Sequence, residues 1–454
     1  MVSVCSLEVG DLENLHRKYL LRTSKSKALF ERGEAVIPGG VCHGLRYFPP
    51  YPFYVKSARG SRIWDVDGNE YIDYWMGHFA LILGHGHPAI LEALREQLKE
   101  GVHWGIVNEW EVELAEMVQG HVPCVDAVKF CNTGAEATMY AVRLARGNTG
   151  RSVILKAEGG WHGFCTDLLM AVHGPFEKPE SLGMPASLER VVKTFPFNDV
   201  DGALDTIRRE KDLAGVIVEP VLGAGGAVPA DEEFLKALRE ETESRDVLLI
   251  FDEIITGFRL GLGGAQEYYG VVPDMVTLGK VLGGGMPVGA VAGREEAMSL
   301  ANPRGKGREG LKVSIGGGTF SCNPMSMRAG TIVLRHLEEH EGGYERLGRL
   351  GKRVREGVQA AFRNHGVEVV CTGIESLFQV HFPLEEGVEI RSARDVYYRT
   401  DHRRRDEELK LRLVNEGVYT MHGGGCLSFA HTEEDVSRLF KAMGKVAEDI
   451  QEGR

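Results

Sequence analysis

An α/β fold, with a large domain built on a mostly parallel sheet and a smaller α+β domain formed from the C-terminal part and the N-terminal segment, follows from three features of this 454-residue sequence. From about residue 125 to 293, short apolar runs alternate several times with helical stretches such as 232–243. These runs are apolar throughout, which marks strands covered on both faces. Beyond about residue 342 the pattern becomes helices mixed with short strands, and no Pro/Ser-rich linker intervenes. The predicted organisation is an N-terminal helix and small antiparallel segment over 1–80, a large α/β domain over 81–340 and an α+β domain over 341–454.

In chain order, the apolar positions Leu15, Leu20, Leu21, Ala28 and Leu29 predict one helix over 11–34, stopped by Ile37-Pro38-Gly39-Gly40. The stretch YVKSARGSRIWDVDGNEYIDY alternates apolar and polar residues around Asp67-Gly68, a strong hairpin signal. Residues 88–100 and 109–120 carry the spacing of amphipathic surface helices. Strands are expected at 127–132, 152–156, 215–220, 247–253, 274–280 and 287–293. After a Gly-rich, charged loop near 302–318, residues 324–339 read as a long helix, and further short strands are expected at 367–371, 377–382, 417–421 and 426–429. Thr432, with Asp435 three residues on, opens a terminal helix.

Composition narrows the function. Against 65 acidic residues stand 53 Lys and Arg, a net charge of −12, which excludes a chain devoted to nucleic-acid phosphates or anionic lipid. No apolar run approaches the roughly 18 residues of a membrane span, and MVSVCSLEVGDLENLHRKYL lacks a basic-then-apolar leader, so a cytoplasmic protein is expected. Cys5, Cys42, Cys124, Cys131, Cys165, Cys322, Cys371 and Cys426 are scattered singly, without a CxxC pair, and read as free thiols. His85 and His87 have HxH spacing, but with no carboxylate or Cys cluster near them in sequence and a proline following, a structural turn is favoured over a metal site. The run HRRRDEEL (402–409) reads as a solvated helix start of mixed sign.

Three groups at predicted strand ends carry the chemistry. Asn132-Thr133-Gly134-Ala135-Glu136 follows a buried strand and opens a helix, a geometry that aims free backbone N–H groups and the positive end of a helix dipole at an anion such as phosphate. It is neither a Walker nor a GxGxxG pattern, and Gly223-Ala224-Gly225-Gly226 opens no helix. Asp252 stands at the end of VLLIF, facing the crevice, where a carboxylate can hold a protonated ring nitrogen. Lys280 closes DMVTLGK; a lysine desolvated there loses its proton near neutral pH and attacks a carbonyl. Together, a phosphate cradle, an acid and a lysine fit pyridoxal 5'-phosphate, which needs a Schiff-base lysine and an acidic partner for its ring nitrogen.

NTGAEATMYAVRLAR, LLIFDEIITGFRLGLGGAQEYYGVVPDMVTLGKVLGGGMPVGAVAG and GGGTFSCNPMSMRAG resemble the motifs of class III pyridoxal-phosphate aminotransferases, nearest to the glutamate-1-semialdehyde 2,1-aminomutase branch. FERGEAVIPGG, GSRIWDVDGNEYIDY, LILGHGHP and AHTEED extend the likeness over most of the chain. The resemblance implies an aspartate-aminotransferase-like fold. It also implies that Lys280 carries the cofactor and shuttles a proton, and that Asp252 keeps the pyridine nitrogen protonated. Thr133, Gly134 and Ala135 would form the phosphate turn, with Ala135 standing where relatives often have Thr. Trp161 would stack on the ring, Ile254 would pack on its other face, and Glu219 would be a nearby carboxylate. Thr319 would reach the phosphate of the neighbouring subunit, making a homodimer necessary for a complete site. His162, beside Trp161, is read as a surface or satisfied histidine and left outside the catalytic set.

By the same likeness Arg46 falls where an arginine holds the substrate carboxylate, a task its guanidinium fork suits. Two departures bear on the substrate. Cys42-His43-Gly44 replaces the aminomutase Asn-Ser-Pro, and TMHGGGCLSFAH supplies no acid where aminomutases carry a glutamate. The sequence therefore favours an aminotransferase acting on an ω- or β-amino acid or related amine with a 2-oxo acid acceptor. The aminomutase is second, and a non-catalytic binding protein a remote third, since Lys280 and Asp252 would have no purpose in it.

Overall fold

Near its start the chain makes two helices where the spacing predicts one, Val9–Arg22 and Ser24–Glu34, in a computed structural model that describes residues 9–305 and 310–452. Thr23 breaks them: its buried hydroxyl is 2.7 Å from the Tyr19 carbonyl and 3.0 Å from the Tyr51 hydroxyl. A threonine that bonds the preceding turn with its side chain competes with the helix ladder. Strands β1 (Val55–Arg59), β2 (Arg62–Asp65) and β3 (Glu70–Asp73) then form an antiparallel meander. Asp67-Gly68 makes the turn between β2 and β3, where Asp65 Oδ1 accepts the N–H groups of Asp67 and Asn69. The Asp67 carboxylate in turn accepts from Lys25 and Ser26, holding the second helix against the turn.

The middle of the chain supplies β4 (Ala127–Cys131), β5 (Val153–Ala157), β6 (Val192–Phe195), β7 (Leu213–Val218), the small hairpin β8 (Val221–Leu222) and β9 (Val228–Pro229), β10 (Leu248–Glu253), β11 (Met275–Gly279) and β12 (Gly289–Gly293). Seven of these form one sheet in the order β4-β12-β11-β10-β7-β5-β6. Only β12 runs against its neighbours; the other pairings are parallel. Strands β5, β7, β11 and β12 are buried end to end, as uniformly apolar runs require. The edge strand β6 escapes sequence reading because VKTF is short and buried only at its two ends. The six parallel strands all point one way, so the residues just beyond β4, β5, β7, β10 and β11 meet along one edge of the sheet. Gly289 on β12 is required there, because a Cβ would collide with the Thr133 carbonyl.

The helix Pro324–Glu339 lies where the sequence predicts it and is followed by the helix Gly342–Arg363. Strands β13 (Val370–Thr372), β14 (Leu377–His381) and β16 (Gly424–Cys426) form an antiparallel sheet, while β15 (Val418–Tyr419) crosses to pair in parallel with β3. The last expected strand is thus displaced from 426–429: Leu427 and Phe429 leave the sheet to bond the carbonyls of Ser376 and Ile82. The run 402–409 is not a solvated helix start. A π-helical turn, Arg404–Leu409, buries Arg405, Glu408 and Leu409, because its opposite charges satisfy each other: Arg405 pairs with Asp406, and Glu408 with Arg412 and Arg404. Thr432 and Asp435 form the expected capping box of the terminal helix Glu433–Gln451. The seven cysteines among the described residues are free, and Cys5 lies outside them. No described helix is long and apolar enough to cross a membrane.

Candidate active site

Lys280 is not the last residue of its strand, as the sequence suggests, but the first of a tight turn, Lys280–Gly283, with φ at +45°. Left-handed backbone at a non-glycine residue stores strain that neighbouring structure must hold. Lys280 is half-buried, and the loss of water lowers its pKa from the ordinary lysine value, against the opposing pull of the Asp252 and Glu219 carboxylates.

Strand register places the acid. Asp252 on β10 pairs with Thr277 on β11, whose hydroxyl donates to Asp252 Oδ1 at 3.1 Å. The Ile254 N–H donates to the same oxygen at 3.1 Å. Oδ2 lies 2.7 Å from Nδ1 of His162, which is buried. Burial lowers the His162 pKa although Asp252 pulls the other way, so the ring is neutral near pH 7. The Asp252 carboxylate is placed to accept a hydrogen bond from Nδ1. Its Nε2 is buried without a hydrogen-bond partner among the described residues, and its carbonyl accepts from Thr138 on the helix Gly134–Thr149. The sequence reading left His162 out of the site; the missed signal is that Gly160-Trp161-His162-Gly163 follows the buried β5 run and so emerges at the same sheet edge as Asp252.

Glu219, just past β7, is buried and accepts the N–H of Trp161 at 2.7 Å and that of Gly223 at 3.1 Å. Burial, aided by the Asp252 charge, pushes its pKa up to about 8. The Trp161 ring is half-buried and edge-on to Phe164 at 5.0 Å. Ile254 fills the space between the two turns: a Cβ on Gly134 would come within 2.9 Å of its Cδ1, and one on Gly279 within 3.1 Å.

At the phosphate turn, Thr133 and Glu136 form a capping box, with the Glu136 carboxylate accepting the N–H groups of Asn132 and Thr133. The N–H groups of Gly134 and Ala135 have no partner among the described residues, so the helix opens with two free donors and its positive dipole end. Gly163 lies against Ala135, where a Cβ would come within 2.6 Å of the alanine methyl. Free donors at one end, a buried acid beside a desolvated lysine at the other, and Ile254 between the two turns fit pyridoxal phosphate.

Two expected members stand apart. Thr319 is exposed, although Gly317 and Gly318 beside it rest on Asn132 of the phosphate turn. Arg46 is exposed at the end of the turn Gly44–Arg46. Its link to the crevice is His78, whose pKa falls to about 4 through burial first and then through the charges of His43, Arg46 and Lys280. The His78 ring is 5.0 Å from His43 and 4.8 Å from Trp75, on a left-handed stretch from Met76 to Phe79 that the sequence did not flag. His422 is tied 3.0 Å from Asp406, in a tight turn where Met421 and Gly424 bond each other. A carboxylate does reach the HxH pair, contrary to the sequence reading: His85 is 2.7 Å from Asp73. His87 packs on His336 instead, so the two rings do not converge.

The aminotransferase class-III family model matches residues 46–431. The glutamate-1-semialdehyde 2,1-aminomutase of Methanopyrus kandleri is 45% identical over 429 residues, 92% of this chain and 96% of that protein. That of Methanothermobacter thermautotrophicus is 44% identical over 436 residues, 94% of this chain and all of that protein. Among solved structures, an omega-transaminase from Sphaerobacter thermophilus superposes with a TM-score of 0.87 at 35% identity, covering 93% of this chain and 97% of that one. A transaminase with PLP bound gives 0.86 at 33%, covering 95% and 98%. A β-phenylalanine aminotransferase from Variovorax paradoxus gives 0.86 at 32%, covering 96% of each.

Proposed function

Because the chain belongs to the class III aminotransferase family, whose enzymes depend on pyridoxal 5'-phosphate, we propose that it is a glutamate-1-semialdehyde 2,1-aminomutase. The observation that carries this reading is the 45% identity to the Methanopyrus aminomutase over nine-tenths of both chains. It reverses the order the sequence alone favoured. Bound pyridoxal phosphate supplies an electron sink for breaking the C–H bond beside the substrate nitrogen. Lys280, its amine partly desolvated, would hold the cofactor and would serve as the group that takes and returns a proton at Nζ. Asp252, fixed by His162, Thr277 and the Ile254 N–H, holds the proton on the ring nitrogen. Gly134 and Ala135 would donate to the phosphate, Trp161 and Ile254 would hold the ring, Arg46 would take the substrate carboxylate, and Glu219 anchors the Trp161 loop through its N–H. We further propose a cytoplasmic homodimer in which Thr319 of one protomer completes the phosphate site of the other.

A second reading, an aminotransferase for an ω- or β-amino acid or related amine with a 2-oxo acid acceptor, keeps a specific observation in its favour. No acid lies between Thr420 and Phe429, and His422 is committed to Asp406. One assay separates the two. Formation of 5-aminolevulinate from glutamate-1-semialdehyde with no oxo acid added is the expected result. Turnover only when an amine is paired with pyruvate or 2-oxoglutarate would replace the aminomutase with the aminotransferase.

A further inference from the structure

Away from the crevice, ligand-type side chains gather where the end of the Pro324–Glu339 helix meets the start of the Pro88–Glu100 helix. His336 and Glu339 lie in the last turn of the helix, three residues apart on one face, and His340 is its C-cap. One ligand atom from each lies within 4.8 Å of the others. The two imidazoles stack at 4.1 Å. His340 Nδ1 is 2.9 Å from the His336 carbonyl oxygen. A carbonyl only accepts, so Nδ1 carries the proton and Nε2 keeps its lone pair, the tautomer a metal ion needs, already oriented by a backbone group. A third ring stands beside them: His87, at the N-cap of the other helix, is edge-on to His336 at 4.6 Å. Its Nδ1 is buried and has no hydrogen-bond partner among the described residues.

We propose that His336, Glu339 and His340 bind a divalent zinc-class ion, with His87 as the fourth ligand. Imidazole with a single carboxylate is a donor set for zinc and its transition-metal neighbours, whereas magnesium and calcium require oxygen shells. Closing to bonds of about 2.0–2.2 Å takes side-chain rotation, and Glu339 and His340 are exposed enough to turn. The ion would tie the end of one helix to the turn that carries His85 and its bond to Asp73, clamping the fold without touching Lys280, Asp252 or His162.

The test titrates zinc chloride into the tag-free holoenzyme by calorimetry and follows the melting midpoint in parallel, with magnesium chloride as the control. One zinc per chain, a raised midpoint and no response to magnesium are expected. His340→Gln and the double variant His336→Ala with His340→Ala should lose that equivalent while melting like the parent without zinc. His87→Ala should weaken binding roughly tenfold or more. No zinc uptake by the parent would overturn the proposal. So would equal uptake by both His340 variants, which would assign the ion to thiols such as the exposed Cys42.

Discussion

The sheet edge and the rim above it are built differently. At the edge, Asp252, His162, Thr277, Glu219 and the Trp161 N–H are joined by short hydrogen bonds and set by strand register, and the carboxylates and the imidazole are buried. At the rim, Arg46 is exposed, His43 and His78 meet ring to ring, and the segment from Thr420 to Gly425, buried except at His422, turns on itself. A buried network leaves each member one role, since a lost partner costs the full desolvation of the group left behind. An exposed side chain such as Arg46 tolerates exchange. On the proposed function, the chemistry would rest on the edge and the choice of substrate on the rim.

The largest effect should come from the edge. Lys280→Ala should abolish amino-group transfer, with kcat down by roughly 10³-fold or more, and the protein should lose the visible absorbance of lysine-linked cofactor while melting normally. Retained turnover would detach the chemistry from this residue. Next is His162. Its bond to a buried charge is worth about 1.5–3 kcal/mol, so His162→Phe should lower kcat roughly 10- to 100-fold by freeing Asp252, with KM little changed. His162→Gln, which keeps a donor, should recover part of the loss. Equal loss in both variants would mean that the histidine only fills space.

Glu219 tests the edge through pH. The unfolded chain releases this proton near 4.5, whereas the folded chain holds it to about 8. Between those values the folded state binds more protons, so this group's contribution to stability declines as pH rises through that window and is flat above it. The melting midpoint of cofactor-free protein should carry that slope, and Glu219→Gln should remove it. An unchanged slope would assign the pH dependence elsewhere.

What the sequence made legible follows the same division. Lys280, Asp252 and the phosphate turn could be placed because a buried parallel strand leaves an apolar run, and its end must face the crevice. His162 could not, because one imidazole after Trp161 carries no periodicity and its partner is 90 residues away. Strand β15 pairing with β3 was hidden for a like reason, its partner lying far along the chain, whereas the break at Thr23 and the buried charges of 404–409 turn on side-chain bonds within about one helical turn that no apolar periodicity reports. On the rim, the convergence of Arg46, His43 and His78 joins two loops whose sequences show no pattern at all.

Smaller effects should come from the rim. Arg46→Ala should raise KM roughly tenfold, the cost of one charge-assisted carboxylate contact at an exposed site, and leave kcat nearly intact. A fall in kcat with constant KM would move Arg46 into the edge group. His422 sets the lower limit. Its imidazole is spent on Asp406, and the Met421–Gly424 turn holds its backbone. His422→Ala should keep kcat/KM within about twofold of the parent, as a substitution away from the working groups does. If it instead shifts the balance between the semialdehyde and an amine with oxo acid, the missing acid of this segment decides the reaction, and the rim governs chemistry as well as binding.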